Sequence, residues 1–314
     1  MNVTVVGAGI AGVACAHALV SAGVTVRVLE RGATVGGRMC TESGEGRLVD
    51  TGAGYFTVSD ARFAAVVEGW RSAGLAREWT DTFAVHSPAG WSSTTGPVRW
   101  AAPGGLESLV ADLAAGLDVR LWHGVSRVEP GPRVDGEAAD AVVLAMPGPE
   151  AARLLSPDLG DTLAVARSQV WLPSLAGVFR FASRWWDFDG AFVNDHPVLT
   201  TLFDDGSRRG DGAPVLVAHS TAEAADRFAT ADLERDRVTA DEVESAVCDL
   251  LDLPERCLSG SVQRWDFARP SAPGDRPFHF GADRIGLAGD AWGNPRIETA
   301  WLSGTALAEA ITSS

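Results

Sequence analysis

VVGAGIAG (residues 5–12), answered by VLERGATVGGRM (residues 28–39), decides the fold. Residues 2–6 alternate around β-branched side chains and read as a strand. Gly7, Gly9 and Gly12 follow in the order GxGxxG: the first allows a tight turn, the second lets backbone approach a pyrophosphate, and the third lets helix pack on strand. A helix over residues 10–22 then aims the N–H groups of its first residues, Ile10 and Ala11 beside Gly12, at the phosphates. Gly23 ends that helix, residues 24–29 form a second strand, and Glu30 closes it 21 residues beyond Gly9. An acid at that place accepts both hydroxyls of an adenosine ribose and repels a 2′-phosphate, which disfavours NADP there. The order strand, glycines, helix, strand, acid defines a dinucleotide-binding unit. Which dinucleotide it takes is decided elsewhere in the chain.

At 314 residues the chain is long for one domain, and a two-domain α/β protein is expected. The formal charge of −15 lacks the clustered cations that nucleic acid or an anionic membrane surface demands, so neither is expected as a partner. All 26 basic residues are arginine, and lysine is absent. Cys15, Cys40, Cys248 and Cys257 have no CxxC spacing and read as thiols in a reducing compartment. The N-terminus opens directly into a strand, without the pattern of a signal peptide. The apolar run at residues 10–20 is interrupted by His17 and is far short of the ~20 residues of a membrane span. A soluble, cytoplasmic protein is expected.

Gly36, Gly37 and Arg38 make a second glycine turn, which an ordinary loop also explains. The whole phrase VLERGATVGGRM, however, resembles the flavin-containing amine oxidase superfamily. The resemblance implies that this turn lies along the pyrophosphate of FAD, with Glu30 and Arg31 beside the adenosine and Arg38 offering charge and planar donors. At the far end, residues 284–288 read as a strand ending in Gly289-Asp290, and Asn294-Pro295 announces a helix running to about residue 311. GLAGDAW and IETAWLSGTALAEAI (residues 286–292 and 297–311) resemble the C-terminal FAD motif of the same superfamily. Asp290 would then bind the ribityl-pyrophosphate portion. The helix start, Ile297 and Glu298, would point at the pyrimidine edge of the flavin, where its positive end stabilises a reduced, anionic ring. The implied cofactor is FAD, bound non-covalently since no cysteine lies near this motif.

Two motifs at opposite ends of the chain force a discontinuous layout. The expected fold class is α/β: a Rossmann-type FAD-binding domain (residues 1–57, 98–150 and 275–314) with a mixed-sheet α+β substrate domain (residues 58–97 and 151–274), as in amine oxidases and p-hydroxybenzoate hydroxylase. DAVVLAMP (residues 140–147) resembles the returning strand of the first domain. DVRLWHGVSRV (residues 118–128) alternates like paired strands, with the backbone of Val125 at the adenine. Residues 104–117 and 239–251 read as helices, and residues 169–218 as strand-rich.

LVDTGAGYFT (residues 48–57, holding Gly54, Tyr55 and Phe56), VRWAAPGGLESL (98–109), VVLAMPGPEAARLL (142–155) and VQRWDFARP (262–270) are similar to bacterial renalases. That resemblance implies oxidation of the 2- or 6-dihydro isomers of NAD(P)H to NAD(P)+, with a hydride passing to FAD and electrons to O2. Amine oxidases of the superfamily place a lysine near flavin N5, a device that a lysine-free chain lacks. Two alternatives stand beside it: an FAD-dependent amine oxidase or dehydrogenase of a small secondary metabolite, and a non-catalytic FAD-binding protein. Tyr55, Trp265, Trp292, Arg296 and Trp301 are the candidate catalytic residues, with Phe56 and Asn294 beside them. Their rings could stack a flat small-molecule substrate on the flavin, although core packing suits each tryptophan equally. His17 and His219 read as structural, and no metal-ligand spacing occurs.

Overall fold

The computed structural model describes residues 1–44, 46–227 and 233–314. Residues 45 and 228–232, which fall in the expected FAD-binding and substrate segments respectively, lie outside it. The chain folds as a Rossmann-type α/β half joined to a mixed sheet. In the first half, six strands lie in the order His279–Phe280, Ile285–Leu287, Ala141–Leu144, Asn2–Val6, Thr25–Leu29, Asp118–Arg120, all parallel but the first. Val5 stands between Val28 and Val143 in register. Both faces are covered, and the strand Ala141–Leu144 beside Asn2–Val6 is accordingly apolar and buried throughout. On one face, Val3, Val5, Val28 and Val143 pack under the helices Ile10–Ser21 and Ile297–Thr312. On the other, Val6, Leu29, Val142 and Leu144 pack under the helices Gly148–Leu154 and Gly160–Ser168. The first and last helices touch backbone to backbone: a Cβ on Gly304 would stand 2.0 Å from the Ala11 carbonyl oxygen.

Seven strands make the second sheet, in the order Ser259–Pro270, Trp171–Arg180, Val215–Ser220, Leu199–Asp204, Gly190–Val193, Arg77–Ser87, Gly90–Ala101. Only Gly190–Val193 and Arg77–Ser87 run parallel to each other. Leu175, Phe179, Leu202, Leu216 and Ala218 point away from the nucleotide half and pack on Val243 and Val247 of the helix Leu233–Leu251. The alternate residues form the opposite face, turned toward the nucleotide half.

Several local expectations need correction. Residues 118–128 are not strands paired with each other. Asp118–Arg120 joins the six-stranded sheet and Val128 pairs with Val134 in a separate small sheet, while between them Trp122 adopts a left-handed φ of 56° and is 78% exposed. The N–H groups of Trp122 and His123 donate to the carbonyls of Gly32 and Glu30, which ties this loop across the end of the second strand instead of to a neighbouring one. The last helix starts at Ile297, with Arg296 extended at the capping position, so Asn294 is not the cap and Pro295 not the first helical residue. The strand Gly90–Ala101 runs through the boundary expected at residue 98, because its partner in the hairpin, Arg77–Ser87, pairs as far as Arg77 with Ala101.

Candidate active site

The site is built on the first glycine turn. A Cβ on Gly12 would stand 2.0 Å from the Gly7 carbonyl oxygen, so only glycine lets the helix start there. The cap of that helix, Gly9, makes no side-chain hydrogen bond, and no acid occupies the first turn. Its first N–H groups are therefore left for a ligand, and the positive end of the helix favours an anionic one. The second glycine turn lies directly against the first. Gly9 bridges to Gly36, whose N–H donates to the Ala8 carbonyl at 2.9 Å, and Gly36 holds a φ of +115° that a side chain would resist. Glu30 closes the turn from the next strand, its Oε2 accepting from the Ala8 N–H at 2.8 Å and its Oε1 from the Gly32 N–H at 2.7 Å. A pyrophosphate beside backbone donors and a ribose beside a carboxylate both fit this cradle.

Arg38 joins the two ends of the chain. Its guanidinium donates to both carboxylate oxygens of Asp290, at 2.9 and 2.6 Å, and to the Ala268 carbonyl at 3.1 Å, and it stacks 4.8 Å from the Trp171 ring centroid. On the strand that carries Ala268, Trp265 donates its indole N–H to the Thr51 carbonyl at 2.8 Å. Tyr55 packs edge-on against Phe83 and Phe203.

Beneath the segment 50–55 lies a buried ion cluster. Arg208 donates to the carbonyls of Gly54 and Asp50, while Arg208, Arg209 and Arg47 all pair with Asp205. Burial pushes the Asp205 carboxyl up, but the three guanidiniums outweigh it and leave it below its ordinary value. The cluster fixes the cavity-lining backbone of Gly54 to the second sheet.

Between the halves lies one cavity of about 1180 Å³, larger than the roughly 300–1,000 Å³ of a drug-sized ligand site. Of the residues singled out from the sequence, Gly7, Gly9, Ile10, Ala11, Glu30, Arg31, Gly36, Gly37, Arg38, Gly54, Tyr55, Val125, Gly289, Asp290 and Ile297 line it, together with Trp265, Trp292 and Arg296. Four others do not. Gly12 sits behind the turn. Phe56 is buried, stacked on Trp100 and edge-on to Phe63 and Trp70. Trp301 is core, 9% exposed and tilted against Phe63. The Glu298 carboxylate is consumed by Ser59 and Asp60, accepting from their N–H groups at 2.6 and 2.7 Å at the start of the helix Ala61–Ser72. Of the two histidines read as structural, His17 is exposed on the first helix, whereas His219 lines the cavity. Trp171, Thr201 and Gln263 line it as well and were not singled out from the sequence; the strands of Trp171 and Thr201 carry no local signature of function, and in VQRWDFARP only Trp265 was picked out. Among the described residues no cysteine lines the cavity, and no cluster of His, Cys, Asp or Glu is placed to hold a metal ion.

A Rossmann half that turns a bare helix N-terminus and two glycine turns into a cavity roofed by a mixed sheet defines a two-domain flavoenzyme. Residues 5–69 match the NAD(P)-binding Rossmann-like domain, and residues 72–312 match the flavin containing amine oxidoreductase family. The chain belongs to that family, and it is an FAD-dependent oxidoreductase acting on a small molecule. Its fold is shared with cyclohexylamine oxidase from Brevibacterium oxydans (16% identity, TM-score 0.75, covering 99% of this chain and 98% of that one). It is shared also with putrescine oxidase bound to putrescine (17%, 0.70, all of both chains) and with an oxidoreductase from Methanosarcina mazei (14%, 0.73, 98% and 100%). No helix among the described residues is long and apolar enough to cross a membrane.

Proposed function

We propose that this chain is a renalase-type oxidase that converts the 2- or 6-dihydro isomers of NAD(P)H to NAD(P)+. The distribution of charge in the cavity carries the reading. Four carboxylates line it, and each is already engaged: Glu30 by two backbone N–H groups, Glu150 by Arg31 at 2.7 Å, Asp266 by Arg264 at 2.7 Å, and Asp290 by Arg38. None is free to receive an alkylammonium. Arg153, Arg269 and Arg296 also line the cavity, are exposed, and have no ion-pair partner among the described residues. In a chain of charge −15, three exposed arginines lining one cavity suit a polyanion such as a dinucleotide.

Bound FAD supplies the redox chemistry, taking a hydride and delivering the electron pair to dioxygen, which leaves as peroxide. The protein orients. Trp265, held by the Thr51 carbonyl, and the Arg38-backed face of Trp171 offer flat walls for a ring. The isomers present carbon 2 or 6 where ordinary NADH presents carbon 4, so one fixed pose can favour the former by geometry alone. The absence of lysine weakens the competing reading, oxidation of an amine, which the family itself favours.

Anaerobic mixing with each reductant, followed by flavin absorbance, tests the proposal. Rapid bleaching is expected with the 2- and 6-dihydro isomers, slow bleaching with 4-NADH, and peroxide on readmission of O2. Rapid bleaching by cyclohexylamine or putrescine, with no response to either isomer, transfers the assignment to amine oxidation.

A further inference from the structure

One register row of the seven-stranded sheet, on the face toward the cavity, carries Gln263, Ala176, His219, Thr201 and Phe192 in that order across five strands. Residues directly opposite one another in a sheet share a face, and all but Ala176 line the cavity. The small Ala176 keeps the row low between Gln263 and His219.

The polar inventory of this row is unusual in being uncharged and incomplete. Burial holds the His219 imidazole down to about 4, helped by the Arg208 guanidinium and opposed by a hydrogen bond to the Gly52 carbonyl, so the ring is neutral at ordinary pH. A neutral imidazole carries one N–H donor and one bare acceptor nitrogen. The Thr201 hydroxyl oxygen is buried without a hydrogen-bond partner, a state that in native proteins asks for an explanation. Gln263 gives one amide N–H to the Arg264 carbonyl at 3.2 Å and retains the other, with its own carbonyl oxygen. An ammonium would require a carboxylate here, and a carboxylate would require a cation. A primary carboxamide requires neither: its NH2 meets an acceptor and its oxygen meets a hydroxyl or amide donor.

We propose that His219, Thr201 and Gln263 form a carboxamide-binding subsite that holds the amide of the substrate's dihydronicotinamide ring and so fixes which ring carbon faces the flavin. The subsite rests on the dinucleotide reading above, but it is testable without turnover. Calorimetric titration of the FAD-loaded enzyme with nicotinamide and with 3-acetylpyridine compares the amide with a ketone of the same shape that lacks the N–H donors. A buried hydrogen bond lost in this way is worth about tenfold in affinity. Nicotinamide is therefore expected to bind about tenfold more tightly to the native enzyme, with the preference abolished in His219→Phe, which keeps a ring against Phe203. Thr201→Val, a near-isosteric change that guards against misfolding of the first variant, should weaken both ligands severalfold and alike, because the ketone keeps the oxygen that the hydroxyl meets. That result supports the subsite even if neither dihydro isomer bleaches the flavin, in which case the oxidase reading alone falls. Equal binding of the two ligands by the native enzyme, a preference unchanged in His219→Phe, or affinities unchanged in Thr201→Val overturns the subsite, and bleaching by the isomers would then leave the oxidase reading standing.

Discussion

Replacing Asp290 by Asn measures how strongly the two ends of the chain hold each other at the cofactor site. The carboxylate is 11% exposed and its partner Arg38 is 29% exposed, so water screens the pair only partly. Two charge-assisted bonds, at 2.9 and 2.6 Å, join them. Asn keeps the shape and one acceptor but removes the charge and the second acceptor, a loss of about 2 kcal/mol by the usual worth of a hydrogen bond to a charged group. Arg38 keeps its bond to the Ala268 carbonyl and its contact with Trp171, so the side chain stays in place and the loss reports the pair. At ~2–4 °C per kcal/mol, the melting temperature of the apoprotein should fall by about 4–8 °C. FAD affinity should fall by up to about 30-fold, because the glycine turn and the last helix are no longer tied. A double-mutant cycle with Arg38→Met, read by melting and by FAD titration, isolates the pair. A coupling within about 0.5 kcal/mol of zero, with FAD affinity unchanged, would refute the view that this pair assembles the site.

Glu30→Gln should weaken FAD binding by about one to two orders of magnitude in apoprotein titration, since it removes a charged acceptor at the ribose position; unchanged affinity would mean the ribose is held by other groups. Gly304→Ala places a methyl 2.0 Å from the Ala11 carbonyl oxygen and should cost about 1–3 kcal/mol in denaturant unfolding, whereas a neutral result would show the two helices free to slide apart. Asp205 lies below its ordinary value in the fold, so the unfolded chain takes up a proton first as pH falls. The stability it contributes is present above the ordinary carboxylate range and is lost as pH drops through and below it. Asp205→Asn should therefore lower the melting temperature at pH 7 and flatten its decline below about pH 4, and an unaltered acid limb counts against the cluster.

The nucleotide half was legible because its chemistry is local. A turn, a helix start and a strand-end acid fall within residues 7–30, and each demands a residue type at a fixed spacing. The C-terminal motif was legible by resemblance, and the Arg38–Asp290 bond brings both segments together at the cavity. The cavity wall formed by the middle strands of the second sheet was not legible. His219, Thr201 and Gln263 become neighbours only through strand register, and nothing in VLVAHST distinguishes a cavity-facing histidine from a structural one. Trp301 and Glu298 failed for the converse reason. They sit beside a motif in sequence, but the helical turn points them at Phe63 and Ser59, away from the cavity. Residues 118–128 misled because alternation also occurs in a loop that is pinned by its backbone.

The discontinuity of the nucleotide half has a consequence for synthesis. The strand Ile285–Leu287, which extends that half's sheet, and the helix Ile297–Thr312, which covers its first helix, are made long after its central strand and first helix. At about 5–20 residues per second, the 252 positions between Arg38 and Asp290 take roughly 13–50 s to emerge. Throughout that interval the nascent chain presents a glycine turn with open N–H groups and an apolar helix face with nothing upon it. The cavity cannot close until the helix Ile297–Thr312 has emerged, so cofactor capture follows synthesis of almost every segment that lines it, and flavin supply and chaperone cover act on the same exposed surface.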